Sequence, residues 1–283
     1  MAVIQSDLTK SGLDEIFDSA YDMDKQPGEV RADDALFFRQ GNTNWLTHQY
    51  AELMMPGKFP KNSVDEEVYE ATVREGNKTS AEIFEYDQDV PIPQRYQEAI
   101  SEYGTVEEWV RGLGTEGMTS RDQWAMEQSY GDAFSGVTTP DAVALCSNSH
   151  IALSGDTVDN LETGAASPDN LWTLILSLRL QKGQNGRLAS YHTDGLLAQA
   201  VLHRKLVELV DSELKPDTAN NNLNYFSRKY PGLVVGASEW LDSAYNSLNS
   251  NANTSYFLVA RGRHGISRKG RVPLQRGYVE PIY

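Results

Sequence analysis

A short run near the middle of the chain carries side chains that could do chemistry: Ser147, Ser149 and His150. A serine hydroxyl becomes a nucleophile when a histidine takes its proton, so this run is compatible with a serine hydrolase of the cytosol. A catalytic triad is defined by its geometry in the fold and not by closeness in sequence. The hydrolase is therefore one hypothesis for the function of the chain.

Other catalytic and ligand-binding patterns are missing from the sequence. It has no Walker-type phosphate loop, no G-x-S-x-G elbow and no H-E-x-x-H helix. The five histidines lack the spacing of metal ligands, and we expect each to be a structural or surface group: His48, His150, His192, His203 and His264. Acid pairs such as Glu107 with Glu108 are typical of solvated faces in so acidic a chain. The sequence predicts no catalytic residue, no metal and no cofactor.

The single cysteine, Cys146, cannot form an intramolecular disulfide, and we interpret it as a buried structural residue. The N-terminus has no long apolar segment, and no window approaches the roughly 18 apolar residues of a membrane span. We therefore expect a soluble protein made in a reducing cytoplasm.

Charge is distributed unevenly along the 283 residues, whose formal net charge is −15. Residues 1–110 hold 23 acidic and 9 basic side chains, whereas residues 170–283 hold 8 acidic and 14 basic ones. The overall sign argues against a general nucleic-acid binder, because such proteins need a basic footprint. The basic end could serve nucleic acid, meet the acidic end of another copy, or balance it within one chain.

The elements that would position these residues centre on the stretch from Gly131 to Arg179. Ser167, Pro168 and Asp169 form a helix start, followed by an apolar run that leaves almost no polar face. We expect a core helix buried on nearly all sides, with Gly183 available to end it. Val143 to Leu145, before it, predict a short buried strand.

The N-terminal third of the chain predicts elements that bury little of themselves. Residues 6–23 have the spacing of an amphipathic helix, and residues 24–44 suit an extended arm whose Leu36-Phe37-Phe38 cluster needs a partner surface. Residues 45–90 predict a long polar hairpin with a turn at Glu75-Gly76-Asn77-Lys78. Such a hairpin would be marginal alone.

The remaining segments complete an α+β pattern. Residues 94–103, 105–113 and 119–130 look helical but are separated by glycines. Leu196-Leu197-Ala198 fits either a strand or the head of the helix that follows, and residues 232–235 and 255–260 predict strands. The polar run 220–225 fits a glycan- or peptide-binding loop as well as a subunit contact. The tail after residue 260 is basic.

The order of these segments resembles the major capsid proteins of tailed bacteriophages with the HK97 fold, especially Mu-type head subunits. The helix ending in YGDAFSG, followed by TTPDAVALCSNSH, is similar to the spine helix of that family and the short strand after it. PDNLWTLILSLR, LLAQAVLHRKLVELVDSE, PGLVV and YFLVA resemble the units that follow. The similarity spans roughly residues 80–260. The tail is shorter than the closing segment of the family.

This resemblance implies a division of the chain. Residues 1–44 would be the N-terminal arm, 45–90 the extended E-loop hairpin, and 91–165 the peripheral (P) domain with its spine helix. Residues 166–260 would form the axial (A) domain, and 261–283 a tail that returns to the P domain.

The resemblance also implies a function without catalysis: self-assembly into hexamers and pentamers of the icosahedral shell around the genome of a tailed double-stranded DNA phage. Such a protein resides in the virion after synthesis in the bacterial cytoplasm. Its partners would be other copies of itself, non-specifically packaged DNA, and decoration, scaffold, protease and portal proteins, with no membrane. An encapsulin-like nanocompartment shell is the alternative of the same fold. The residues expected at subunit contacts are Leu36, Phe37, Phe38, Arg74, Glu75, Lys78, Arg263, Arg268 and Arg271.

Overall fold

The computed structural model describes residues 10–23, 25–45, 47–54, 74–82, 85, 87, 103–213, 223–242, 244, 254–260 and 266–270. The helices are α1 (Lys10–Tyr21), α2 (Tyr103–Met126), α3 (Pro168–Leu180), α4 (Ala200–Asp211) and α5 (Tyr225–Lys229), with a π-helical turn at Glu127–Gly131 and a 3₁₀ turn at Glu239–Leu241. The strands are β1 (Arg39–Asn42), β2 (Thr47–Met54), β3 (Arg74–Glu82), β4 (His150–Ile151), β5 (Thr157–Val158), β6 (Gly195–Gln199), β7 (Val234–Ser238), β8 (Tyr256–Val259) and β9 (Ser267–Gly270). The expected α+β class is confirmed.

A three-stranded sheet in the order β7-β6-β8 lies at the centre of the described core. Strand β6 is parallel to β7, with Gly195 opposite Val234, and antiparallel to β8, with Gly195 opposite Val259. All five residues of β6 are buried, as is typical of a strand covered on both faces. The strand reading of Leu196-Leu197-Ala198 is therefore the correct one.

One face of this sheet is covered by residues from the N-terminal part of the chain. Phe37 and Phe38 are 1% and 2% exposed and share a hydrophobic cluster with Leu197 and Phe257. The Tyr130 hydroxyl donates a 2.9 Å hydrogen bond to the Phe37 carbonyl, and the Tyr130 ring meets Phe257 edge-on at 5.2 Å. Residues far apart in sequence thus form one continuous core.

Backbone pairing fixes the segment before Phe37 along the edge of β7. Glu29 forms a parallel bridge with Ala237, and the Val30 amide donates to the Ala237 carbonyl at 2.9 Å. Gly236 makes this approach possible, because a Cβ there would lie 2.3 Å from Val30 Cγ2. The segment predicted to be an extended arm is, over these residues, part of the packed sheet layer.

The other face of the sheet carries α3 and α4. Leu171 and Ile175 of α3 pack with Leu196, while Leu206 and Leu209 of α4 pack with Ala198. The alternation of neighbouring β6 side chains between the two faces follows from the two-residue period of a strand.

Helix α3 begins as the sequence predicts and is less buried than expected. The Ser167 hydroxyl accepts a 3.2 Å hydrogen bond from the Asn170 amide, and Pro168 occupies the first turn. The expectation of burial on nearly all sides is wrong, because Leu176 and Leu180 are 41% and 55% exposed. The helix lies on one sheet face, so only the side that meets the sheet is enclosed.

Helix α2 runs through glycines at which the sequence predicted interruptions. Its 24 residues include Gly104, Gly112, Gly114 and Gly117. A Cβ at Gly117 would be 3.5 Å from the Tyr21 ring, which shows how closely α1 packs against this helix. Close packing by α1 compensates for the low helix propensity of glycine.

A buried ion pair links the end of α1 and the following segment to α2. Arg31 Nε lies 3.4 Å from Asp122 Oδ2, with side chains only 8% and 6% exposed. The Ala32 amide donates to Asp122 at 3.1 Å, and Arg31 also donates to the carbonyls of Tyr21 and Met23. Each partner also has a second charged neighbour, since Arg121 Nε lies 3.2 Å from Asp122 Oδ1 and Arg31 Nε lies 3.9 Å from Asp33 Oδ1.

Two local predictions for strand and turn are corrected. Val143 to Leu145 form no strand: this segment contains an isolated bridge between Thr138 and Ala144 and is only partly buried. The residues 75–78 lie within β3 and not at a turn, because β3 pairs with β2 from Arg74 to Glu82. Turn-forming residue types are overridden there by cross-strand pairing.

Among the described residues, every helix is too short or too polar to cross a bilayer.

Candidate interaction surface

The hairpin of β2 and β3 carries a continuous exposed stretch on β3. The two strands are antiparallel, with Thr47 opposite Glu82 and Met54 opposite Arg74, and an irregularity between Ala51 and Leu53. Residues 78–82 of β3 are exposed without interruption. Since consecutive side chains of a strand point to opposite faces, β3 presents side chains to solvent on both of its faces over these residues.

The ion pair of Glu75 and Lys78 lies on this exposed surface. Lys78 Nζ is 2.9 Å from Glu75 Oε2, and both side chains are 63% exposed. The hydrogen bond from Lys78, together with its charge, lowers the pKa of Glu75. An ion pair this exposed adds little stability. Because both side chains are largely exposed, both charged groups are accessible to another molecule. Arg74 begins β3 opposite Met54.

One residue of the hairpin rests on a loop elsewhere in the same chain. A Cβ at Gly76 would lie 2.4 Å from Leu153 Cδ1, so the glycine permits direct contact with the leucine side chain. Leu153 is held in turn, because its amide donates to Gln184 Oε1 at 2.8 Å. The Ser154 amide donates to the Gln184 backbone carbonyl at 3.0 Å. We call Leu153 the hairpin seat. Nothing in the sequence pattern of Leu153 or Gln184 signals this role.

The apolar cluster expected at a partner surface is placed elsewhere by the fold. Leu36, Phe37 and Phe38 are 5%, 1% and 2% exposed and lie in the core of their own chain. Gly195 provides part of the space, since a Cβ there would come within 2.9 Å of Leu36 Cδ2. The expectation that these three residues need a partner is therefore corrected: the central sheet buries them.

The basic C-terminal tail is described only over β9. This strand pairs in parallel with β1, so that Arg268 lies opposite Gln40, and the Arg39 amide donates to the Ile266 carbonyl at 3.0 Å. Arg263 and Arg271 lie outside the described residues, as do residues 220–222 of the run 220–225. Their expected roles at subunit contacts stay predictions.

The serine and histidine side chains singled out from the sequence do not form a nucleophile and base pair. Ser147 Oγ and Ser149 Oγ share a hydrogen bond of 2.9 Å with each other. His150 Nδ1 lies 2.9 Å from Asp141 Oδ2, and His150 Nε2 lies 3.3 Å from the Leu145 carbonyl oxygen. With both ring nitrogens directed at other partners, this arrangement gives no support to the serine hydrolase hypothesis.

The sequence did not point to Asp141 as the partner of His150. The two residues are nine positions apart, and no local pattern signals that their side chains meet. Burial acts to raise its pKa, but hydrogen bonds from Thr139, His150 and the Ile151 amide, with the charge of His150, lower the pKa overall. The pair therefore favours an ionised carboxylate.

Cys146 has the environment of a structural residue. Its side chain packs against the cluster that contains Phe37 and Tyr130, and burial raises its pKa to about 11. Within the described ranges, no three histidine, cysteine, aspartate or glutamate side chains gather as metal ligands.

Comparison with known proteins gives no relative from which a role could be transferred: no family model, curated protein or solved structure matches the chain.

Proposed function

We propose that this chain is a shell subunit that self-assembles through its exposed hairpin, as a capsid protein of the HK97 type does. In this proposal the β2–β3 hairpin contacts a neighbouring copy and the sheet-centred core gives each subunit its rigid body. The shell would enclose the DNA of a tailed phage. The function is mechanical, and the proposal assigns no catalytic residue.

One observation carries this proposal: β3 exposes side chains on both of its faces along residues 78–82. Two-stranded hairpins bury too little surface to be stable alone in water, and they become stable when packed on something else. The seat at Leu153 meets the hairpin at Gly76 and leaves the adjoining residues exposed. A second copy of the chain would supply the missing contact surface.

Charge supports the choice of a second copy as the partner. The N-terminal 110 residues carry a net charge of −14 (9 basic minus 23 acidic), and residues 170–283 carry +6 (14 minus 8). Different parts of two identical chains therefore attract each other. Repeated contacts of this kind produce closed rings or shells when their geometry closes.

The test is whether the purified chain assembles, and whether the hairpin is responsible. Light scattering after size-exclusion chromatography, with electron microscopy, should show closed particles of uniform size. Thr79→Arg and Ser80→Arg place a bulky charge on opposite hairpin faces, and at least one should abolish assembly while circular dichroism stays unchanged. The control is Ser120→Arg, which places the same charge at an exposed position of α2, and this variant should assemble.

The possible outcomes distinguish this proposal from the alternative functions and contact surfaces. A chain that stays monomeric at all concentrations and alongside its companion phage proteins would contradict shell formation. Particles that form in both hairpin variants would show that the hairpin is not the contact. An encapsulin-like compartment remains the second candidate, and a protein cargo in place of nucleic acid inside the particles would identify it.

A further inference from the structure

Helices α3 and α5 together form a surface that joins aromatic rings to positive charges. The Trp172 ring of α3 meets the Tyr225 ring of α5 edge-on at 5.4 Å. Leu176 follows Trp172 by four residues, so the two side chains are neighbours on α3. Arg228 and Lys229 follow Tyr225 by three and four residues and are its neighbours on α5. We call these five residues the aromatic-basic face.

The aromatic-basic face leaves apolar surface in contact with solvent. Leu176 and Tyr225 are 41% and 50% exposed, and Trp172 is only partly buried. Exposed apolar surface with a polar border is typical of sites at which another molecule binds. The face therefore has the composition of a contact surface.

The charges next to the Tyr225 ring are positive. Arg228 and Lys229 are both exposed. Two carboxylates border the face: Asp169 is in the first turn of α3, and the backbone carbonyl of Glu213 accepts a 3.0 Å hydrogen bond from the amide before Tyr225. The face thus favours a partner that places carboxylates at the two cations and apolar side chains at the rings.

A segment of the chain itself has the complementary composition. Residues 82–87, at the end of β3 and after it, have the sequence EIFEYD, in which three acidic residues are interspersed with three apolar ones. Glu82, Glu85 and Asp87 are exposed in the structure. Because these acidic side chains are exposed in their own chain, they are available to a second copy.

We propose that the aromatic-basic face binds the acidic segment 82–87 of a second copy of this chain. The carboxylates of Glu85 and Asp87 pair with the two cations of α5, and the apolar residues of the segment cover the exposed rings. This inference rests on the proposed assembly through the hairpin, and it names the surface that receives the hairpin on the neighbouring copy. Since two different surfaces meet, the contact joins copies head to tail, as the formation of a ring requires.

Charge reversal tests the contact from both sides. Arg228→Glu with Lys229→Glu, and separately Glu85→Lys with Asp87→Lys, should each lower the assembled fraction at least about tenfold, because like charges then oppose each other. The chain that carries all four substitutions should assemble again, since the two surfaces are complementary with their signs exchanged. Light scattering at fixed protein concentration measures assembly, and circular dichroism verifies folding.

The matched control is Arg204→Glu with Lys205→Glu, which reverses two neighbouring exposed cations of α4. This pair changes the net charge as much as the α5 pair does and should leave assembly unchanged. Combined with Glu85→Lys and Asp87→Lys, the control pair restores the net charge of the chain. It should not restore assembly, because the positive charges of α5 still face the added lysines.

Binding of a peptide separates this contact from shell formation. A fluorescein-labelled peptide of residues 79–90 should bind the dissociated subunit, and Arg228→Glu with Lys229→Glu should weaken this binding about tenfold in fluorescence anisotropy.

The results distinguish failure of the contact from failure of the shell proposal. Shells that form in spite of either charge reversal would overturn the contact and leave the shell proposal intact, as would a fourfold-substituted chain that stays dissociated. If the unchanged chain forms no shells, the shell proposal fails. The peptide then decides the contact, because absent binding, or equal binding to the unchanged and charge-reversed subunits, would overturn it.

Discussion

Gly114 of α2 lies directly against Phe17 of α1, so close that a Cβ at residue 114 would fall 2.6 Å from the Phe17 carbonyl oxygen. The same Cβ would lie 2.9 Å from Ala20 Cβ. A backbone oxygen cannot move aside as a flexible side chain can. The glycine is therefore required by the approach of the two helices and not by any unusual backbone angle.

The first prediction compares two glycines on the same helix. Gly114→Ala should lower the free energy of unfolding by about 1–3 kcal/mol, because the added methyl group overpacks the contact between α1 and α2. Gly112→Ala should raise it by up to about 1 kcal/mol, since a Cβ at Gly112 meets nothing within 4 Å and alanine favours the helix.

Urea unfolding followed by circular dichroism measures both changes. If Gly114→Ala proved as stable as Gly112→Ala, the close packing of α1 on α2 would be contradicted.

The elements predicted correctly from the sequence are those with local signals. Ser167 and Pro168 specify the start of α3. The Ser167 side chain accepts a hydrogen bond from the Asn170 amide, and Pro168 has a fixed φ angle that suits the first helical turn, so the whole signal lies within four consecutive residues. The apolar runs at 232–235 and 255–260 predicted β7 and β8, whereas the run Leu196-Leu197-Ala198 left strand and helix open for β6. The helix α1 was predicted from its spacing alone.

The features that could not be predicted depend on residues distant in sequence. Phe37 is a core residue because Gly236 leaves it room, and no local pattern connects two positions 199 residues apart (236 minus 37). Likewise, the composition of Glu75 to Lys78 favours a turn, and only pairing with β2 makes it a strand. The pairing of Asp141 with His150 and the seat at Leu153 are tertiary contacts of the same kind.

The second prediction uses neighbouring residues of α3 that face in different directions. Ile175→Asp should prevent folding, with a loss of more than about 4 kcal/mol, because it buries an unpaired carboxylate where the side chain is now 0% exposed. Leu176→Asp should cost about 1 kcal/mol or less, since Leu176 is 41% exposed.

Thermal unfolding and the yield of soluble protein distinguish the two variants. A soluble, folded Ile175→Asp protein that merely failed to assemble would contradict the placement of this residue between α3 and the sheet.

The third prediction concerns the reactivity of Cys146. Burial raises the pKa of its thiol to about 11 from an ordinary value of 9.0, which lowers the thiolate fraction near pH 8 about 100-fold. Alkylation by iodoacetamide, followed by mass spectrometry, should be at least about 100-fold slower in the folded chain than in the urea-unfolded chain. Equal rates in both states would show that Cys146 is reactive and accessible.

The fourth prediction follows from the uneven charge and rests on the proposed assembly. Assembly should weaken between about 50 mM and about 500 mM sodium chloride, because a shorter screening length weakens the attraction between exposed charges. Chloride is chosen because sulfate would strengthen apolar contacts and oppose the effect. Light scattering at fixed protein concentration gives the assembled fraction, and circular dichroism verifies that the subunits stay folded. Assembly to the same extent at both salt concentrations would show that contacts between subunits depend on apolar packing and not on the attraction between the acidic and basic ends.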